Sequence, residues 1–194
     1  MVCALCVILI CTLPLWGRAS GGARGHQRAA PICVGHIFRR RDVLPLLCGN
    51  EIFYHYHPPE PTLASICEDM AALPPGKTLQ DKHYVGFSQG DALIAVMDLI
   101  LDYPSPGTAM IGFFMVDISC QGRGTGTQII AQALEALAAQ GMTKARLAID
   151  EGNPQSRAFW LKNGFVLTGE RISNDIAAYL PMERPLRHGA NEPN

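Results

Sequence analysis

The sequence predicts a mixed α/β domain, and three observations predict it. Apolar runs of strand length recur along the chain, some of them greasy at nearly every position. Between two of them, Ile129, Ile130, Ala133, Leu134, Leu137 and Ala138 form an apolar stripe with the period of a helix. Glycine and proline punctuate the boundaries. In chain order this gives a meander of strands, a helix, a strand, a helix and a closing hairpin. The chain has 194 residues, 48% hydrophobic and 17% charged, which suits one globular domain with a real core.

The elements follow in order. The first twenty residues, "MVCALCVILICTLPLWGRAS", are apolar up to Gly17-Arg18-Ala19 and resemble a secretory signal, but no Lys or Arg precedes the apolar run. We read them as a misassigned start or nonstructural extension, and "SGGARGHQRAA" as a linker. The expected organisation is a leader over 1–30, one domain over 31–186 and a tail over 187–194. "ICVGHIF" is a weak strand. "RRDVLPLLCGN" reads as a short helix or turn broken by Pro45, and 62–73 as a helix that Thr62 caps. Strands at 83–88 and 91–101 flank a hairpin turn at Gln89-Gly90, and "TAMIGFFMV" supplies the next. The helix that follows ends at Gly141. "KARLAID" is a buried strand. Asn153-Pro154 opens a helix that closes at Gly164, since Asn caps and Pro suits the first helical position. "FVLTGERI" and "IAAYLPM" are the last two strands.

Composition also excludes. Sixteen basic residues against 17 acidic, a net charge of −1, offer no electrostatic footprint for nucleic acid. No run reaches the roughly 18 apolar residues of a membrane span. Seven cysteines, odd in number and irregularly spaced, do not suggest a disulfide framework. Cys3-Ala-Leu-Cys6 and His55-Tyr-His57 lack the further ligands of a metal site, and no metal is assigned.

The stretch "GFFMVDISCQGRGTGTQII" carries the chemistry. A strand runs into alternating glycines and then a helix. No lysine follows, as a Walker loop needs, and G-x-G-x-G is not the dinucleotide spacing. What remains is a helix N-terminus whose converging amides favour an anion, or a close packing contact.

Two features then join. Gln121-Gly122-Arg123-Gly124-Thr125-Gly126 resembles the [QR]-x-x-G-x-[GA] signature of the GNAT superfamily, the acyl-CoA-dependent N-acyltransferases. "NPQSRAFWLKNGF" at 153–165 resembles that superfamily's second motif, an Asn followed by a helix ending in Gly-Phe. The order and separation also match, over roughly 36–183. The resemblance implies a GNAT-like fold: a central, mostly antiparallel sheet with a splayed pair of strands and flanking helices. It implies acetyl-CoA as co-substrate, with pyrophosphate contacts at Gln121, Gly122, Arg123, Gly124, Thr125 and Gly126, and pantetheine contacts at Met115 and Val116. Asn153 caps its helix and, by the same resemblance, contacts the cofactor; Trp160 belongs to the core or the cofactor groove. Many members carry a tyrosine four residues before the closing glycine, which protonates the departing thiolate. Trp160 stands there, and an indole N–H is no practical acid. A thiol titrating at about 8.5 needs little help to leave.

The reaction implied is direct attack of a primary amine, of a small molecule or a peptide, on the acetyl thioester. An alkylammonium with a pKa of about 10.4 must first lose a proton. Asp117 and Asp150, each at the end of a strand beside the cleft, are the candidate bases, Asp98 being less well placed. A backbone N–H of the pre-loop strand, at Val116, would stabilise the developing oxyanion. Tyr54, His55, Tyr56 and His57, in "FYHYHPP", are the candidate wall of the amine site. The resemblance implies a cytoplasmic protein and leaves a homodimer open. Two rivals also stay open: a sensor with the same fold and no turnover, and an enzyme using another phosphate cofactor.

Overall fold

The computed structural model describes residues 32–35, 40–174 and 177–186. The expected leader and tail lie outside the described residues, as do the last three residues of "ICVGHIF" and the first of "IAAYLPM".

The chain opens with β1 (Ile32–Gly35) and three short helices, α1 (Arg40–Cys48), α2 (Glu51–Tyr56) and α3 (Leu63–Ala71). Three long strands follow: β2 (Lys82–Gln89), β3 (Ala92–Leu101) and β4 (Thr108–Val116). A single 3-10 turn (Ile118–Cys120) leads to α4 (Thr125–Ala139), then β5 (Lys144–Asp150) and α5 (Pro154–Lys162). The chain closes with β6 (Val166–Leu167), β7 (Ile172–Ser173) and β8 (Ala178–Pro185). All eight strands join one sheet, in the order β1-β2-β3-β4-β5-β8-β6, with β7 also pairing β8. Every pairing is antiparallel except β4 with β5.

Local chemistry explains most boundaries. Thr62 and Ser65 form a reciprocal capping box on α3. Asn153 accepts from the Ser156 N–H at 2.9 Å, with Pro154 beside it. Two expectations need correction, and one stretch left without an assigned element takes a definite form. Pro45 sits inside α1 without ending it: it costs one donor to Arg41, on an exposed edge where water can serve that carbonyl. The aromatic stretch from 53 is mostly helix, forming the end of α2. "FVLTGERI" is not one strand but two residues each of β6 and β7, parted around Gly169, whose φ is +86°.

Two cores cover the sheet. Ile129, Ile130, Ala133, Leu134 and Leu137 of α4 pack with Leu147 and Ile149 of β5, Trp160 of α5, Phe165 and Met182 on one face. Val43, Leu46 and Leu47 of α1 and Ile66 of α3 pack with Tyr84, Val96 and Met115 on the other. β3 is buried along most of its length because both faces are covered. A buried ion pair, Lys82 Nζ to Asp98 Oδ2 at 2.7 Å, joins β2 to β3. Burial outweighs the lysine and pushes the Asp98 carboxyl above the ordinary carboxylate range.

The functional geometry comes from β4. Its register against β3 slips at Gly112, which lies between Ile111, opposite Leu99, and Phe113, opposite Asp98. Such a bulge bends the strand. β4 pairs with β5 only over Thr108–Met110 against Lys144–Arg146. Beyond that the two strands run on to Val116 and Asp150 without pairing, and the sheet opens into a wedge. No helix among the described residues is long and apolar enough to cross a membrane.

Candidate active site

The wedge is the mouth of a cleft of about 730 Å³, within the ordinary range of small-molecule sites. Side chains alternate along β4, so the cleft has two sides. Phe114 and Val116 face the α4 and α5 core, while Phe113 and Met115 face α1, α2 and α3.

The α4 side holds the glycine turn. Gly122 and Gly124 have φ of +71° and +84°, and a Cβ on either would meet nothing within 4 Å. These two glycines therefore answer to backbone conformation, not to protein packing. Gly124 is the N-cap of α4 in the left-handed region and supplies no side-chain cap. The first N–H groups of this 15-residue helix are thus left without a side-chain acceptor, at the end where peptide dipoles sum to about half a positive charge. Gly122, Gly124, Gly126 and Thr127 line the cleft. Gly126 differs from the other two. A Cβ there would stand 3.0 Å from Phe159 Cε2 and 3.4 Å from Val116 Cγ2, so its smallness lets α4 close on α5 and β4. Close packing therefore accounts for Gly126, and backbone conformation for Gly122 and Gly124.

Met115 and Val116 are buried at the end of β4 and line the cleft. The Asp117 N–H donates to Ile94 O at 2.8 Å, toward β3. Successive strand amides point to opposite edges, so the Val116 N–H is directed into the gap between β4 and β5. The Val116 carbonyl is likewise turned away from β3: it accepts from Gln121 Nε2 at 2.9 Å and Asn50 Nδ2 at 3.2 Å. Gln121 also donates to Asn50 Oδ1 at 2.6 Å, which ties the glycine turn to the α1–α2 junction. The Gln121 side chain is engaged in holding the turn, and its N–H donates to Ile118 O at 3.3 Å within the 3-10 turn. Arg123 is exposed at the rim, Thr125 is half-buried, and Asn153 and Trp160 are buried and line the cleft. The Trp160 ring packs edge-on against Phe114, Phe159 and Phe165.

The opposite side holds a polar pair. His57, at the C-cap of α2, has its Nδ1 3.0 Å from Asp150 Oδ1 at the end of β5. The side chains are 45% and 10% exposed respectively, so the carboxylate is largely shielded while the imidazole reaches the cleft. The hydrogen bond to the Asp150 carboxylate raises the His57 pKa above 6.5, against the opposing effect of burial. With Nδ1–H donating to the carboxylate, neutral His57 keeps the lone pair on Nε2. His57 and Tyr179 have ring centres 6.2 Å apart, and Tyr179 is the cross-strand partner of Asp150.

The structure separates the two aspartates expected as bases. Asp150 lines the cleft. Asp117 is the N-cap of the 3-10 turn, its carboxylate accepting from the Ser119 N–H and hydroxyl, and it is not in the lining. Asp98 is absent from it too, being paired with Lys82. The aromatic stretch divides by helical spacing. Phe53 and His57, four residues apart, share the cleft side of α2 with ring centres at 5.2 Å. Tyr54 packs on the second core, where burial and then Asp69 push its hydroxyl up to about 12. His55 and Tyr56 meet edge-to-face and stand outside the lining. Sequence reasoning missed Asn50, Phe53, Phe113 and Tyr179. The four-residue spacing of Phe53 and His57 was the available signal for one of them. Among the described residues, no three of His, Cys, Asp and Glu are grouped to hold a metal.

The profile of the acetyltransferase (GNAT) family matches residues 50–165. No curated protein sequence matches the chain. Among solved structures, an acetyltransferase from Thermus thermophilus is similar at 22% identity and a TM-score of 0.60, over 81% of this chain and 99% of that one. The PaiA N-acetyltransferase of Thermoplasma acidophilum, in complex with coenzyme A, is similar at 16% identity and 0.61, over 80% and 99%. The spermidine N-acetyltransferase of Vibrio cholerae, with CoA and spermine, is similar at 17% and 0.61, over 80% and 95%. With the wedge, the uncapped glycine turn and a family profile spanning more than half of its length, the chain belongs to the acetyltransferase (GNAT) family.

Proposed function

We propose that the protein is an N-acetyltransferase that moves the acetyl group of acetyl-CoA to a primary amine by direct attack. The observation that carries this reading is the wedge between β4 and β5, with an anion-favouring helix terminus on one side and the His57–Asp150 pair on the other. CoA in the Thermoplasma and Vibrio proteins supports the choice of co-substrate. Acetyl-CoA supplies an activated acyl group and a leaving thiolate. The backbone amides from Gly122 to Gly126 and the α4 terminus hold its pyrophosphate, with Arg123 adding charge from the rim, and Met115 and Val116 lie along its pantetheine arm. The Val116 N–H donates to the acyl oxygen as negative charge develops there. His57 Nε2 takes the proton of the attacking amine, and Asp150 fixes the tautomer and stabilises the imidazolium. Trp160 packs, and the thiolate takes its proton from solvent. Acetyl-CoA is an intracellular metabolite, so this reading goes with a cytoplasmic protein.

Thermal denaturation with different ligands tests the reading. Acetyl-CoA and CoA should raise the midpoint, by about 2.7 kcal/mol of stability at a hundredfold excess over Kd. NAD and ATP should not. A shift with NAD or ATP and none with CoA favours the rival phosphate cofactor, and binding without CoA release over a panel of amines favours the sensor.

A further inference from the structure

The acceptor side of the cleft is walled by rings. Phe53 meets Phe113 edge-to-face, with centres 5.6 Å apart and planes at 81°. His57 and Tyr179 continue that wall to Asp150. This is a different set of rings from Phe114, Phe159 and Trp160, which face the α4 and α5 core. Acidic side chains are scarce by comparison. Among the described residues only Glu51 and Asp150 line the cleft, and Asp150 is engaged by His57. Glu51 is exposed at the first position of α2, two residues before Phe53. Lys162 adds a positive charge to the lining.

We propose that the acceptor is a monoamine carrying an aryl group on a short alkyl chain. This rests on the N-acetyltransferase reading above and names the substrate class of that site. A polyamine carries several ammonium groups along one chain, each of which needs a carboxylate once it leaves water. This lining offers only two acids, Glu51 at the start of α2 and Asp150, already paired with His57, at the end where the single amine of the substrate must sit to lose its proton. The ring faces beside it attract that ammonium on entry. The edge-to-face pair of Phe53 and Phe113 leaves ring surface for a third aromatic group, which prefers the same offset or edge-on contacts. The closeness of Phe53 to His57 keeps the linker short.

The test compares kcat/KM for phenethylamine, tryptamine, hexylamine and spermidine, in wild type and in Phe53→Leu and Phe53→Ala. In wild type the two aryl amines should exceed hexylamine and spermidine by about tenfold or more, the scale of one well-made pocket contact. Phe53→Leu keeps an apolar side chain but removes the ring, so the advantage over hexylamine should shrink several-fold even if Phe53→Ala folds poorly. The acetyl-CoA-induced midpoint shift reports that each variant is folded. Equal or better use of spermidine or hexylamine overturns the proposal while leaving the N-acetyltransferase reading intact. An unchanged aryl preference in folded Phe53→Leu overturns the role of the wall. Acetyl-CoA binding with no amine turned over removes the parent reading, and this proposal with it.

Discussion

In the proposed reaction, His57 and Asp150 set the pH behaviour of the site. Deprotonated His57 is the form that accepts a proton, and its pKa stands above 6.5 because Asp150 accepts its Nδ1–H. The acidic limb of kcat/KM should therefore rise through an inflection above that value. In Asp150→Asn the carboxylate is lost, the His57 pKa falls, and the inflection should move to lower pH while the maximal rate drops. An inflection that stays put in a folded Asp150→Asn protein would mean that another group titrates. The linkage to stability has the matching sign. A pKa raised on folding contributes stability that is full below the unfolded value of 6.5 and is lost as pH rises through the folded one. Because the imidazole is nearly half exposed, that contribution is small. This pair could not be read from the chain: 93 residues separate its members, and only the meeting of the α2 C-cap with the end of β5 joins them. Asp117 and Asp150 looked alike in sequence, each closing an apolar strand. They differ because Ser119, two residues on, gives Asp117 a local turn to cap.

At the scale of elements, the turn before α4 makes two demands on its glycines, and they respond differently to substitution. Gly124→Ala puts a Cβ in open space but at a φ of +84°, so its cost is conformational, about 1–2 kcal/mol. It should also disturb the amides proposed to meet the pyrophosphate, weakening acetyl-CoA binding. Gly126→Ala has ordinary φ but lands 3.0 Å from Phe159, an overpacking of roughly 1–3 kcal/mol that falls chiefly on stability. Calorimetry with acetyl-CoA and urea denaturation on both variants separates the effects; equal losses of affinity and stability in both would show that the turn is one packing unit. The long strands were legible because nothing competes with their pattern: "TAMIGFFMV" and "KARLAID" are β4 and β5 to the residue. α2 was not, because six residues make too little stripe to outweigh a run of rings that also suits a strand. β6 and β7 were over-read as one strand because Gly169 parts an otherwise strand-like run.

Across the whole molecule, the cleft follows from connectivity. β4 and β5 are parallel neighbours, so α4 must cross over one face of the sheet between them. That crossover brings the glycine turn to the end of β4 where the strands have parted. The opposite face is left to α1, α2 and α3, which bring Asn50, Phe53 and His57 to the same gap. The paired motifs placed the proposed cofactor side in sequence because its residues lie close together there, from Met115 to Gly126 and again from Asn153. The acceptor side is assembled from α2, β4, β5 and β8, and no short stretch carries it.

The central claim is that this gap transfers an acetyl group with His57 taking the proton. Mass spectrometry of the amine product, alongside the CoA released from acetyl-CoA, tests it most directly in wild type and His57→Gln. We expect one N-acetylated amine for each CoA in the wild type. In folded His57→Gln, which still binds acetyl-CoA, the rate should fall by about a hundredfold, as for loss of a general base. Release of CoA without acetylated amine, or an undiminished rate in His57→Gln, would contradict the account.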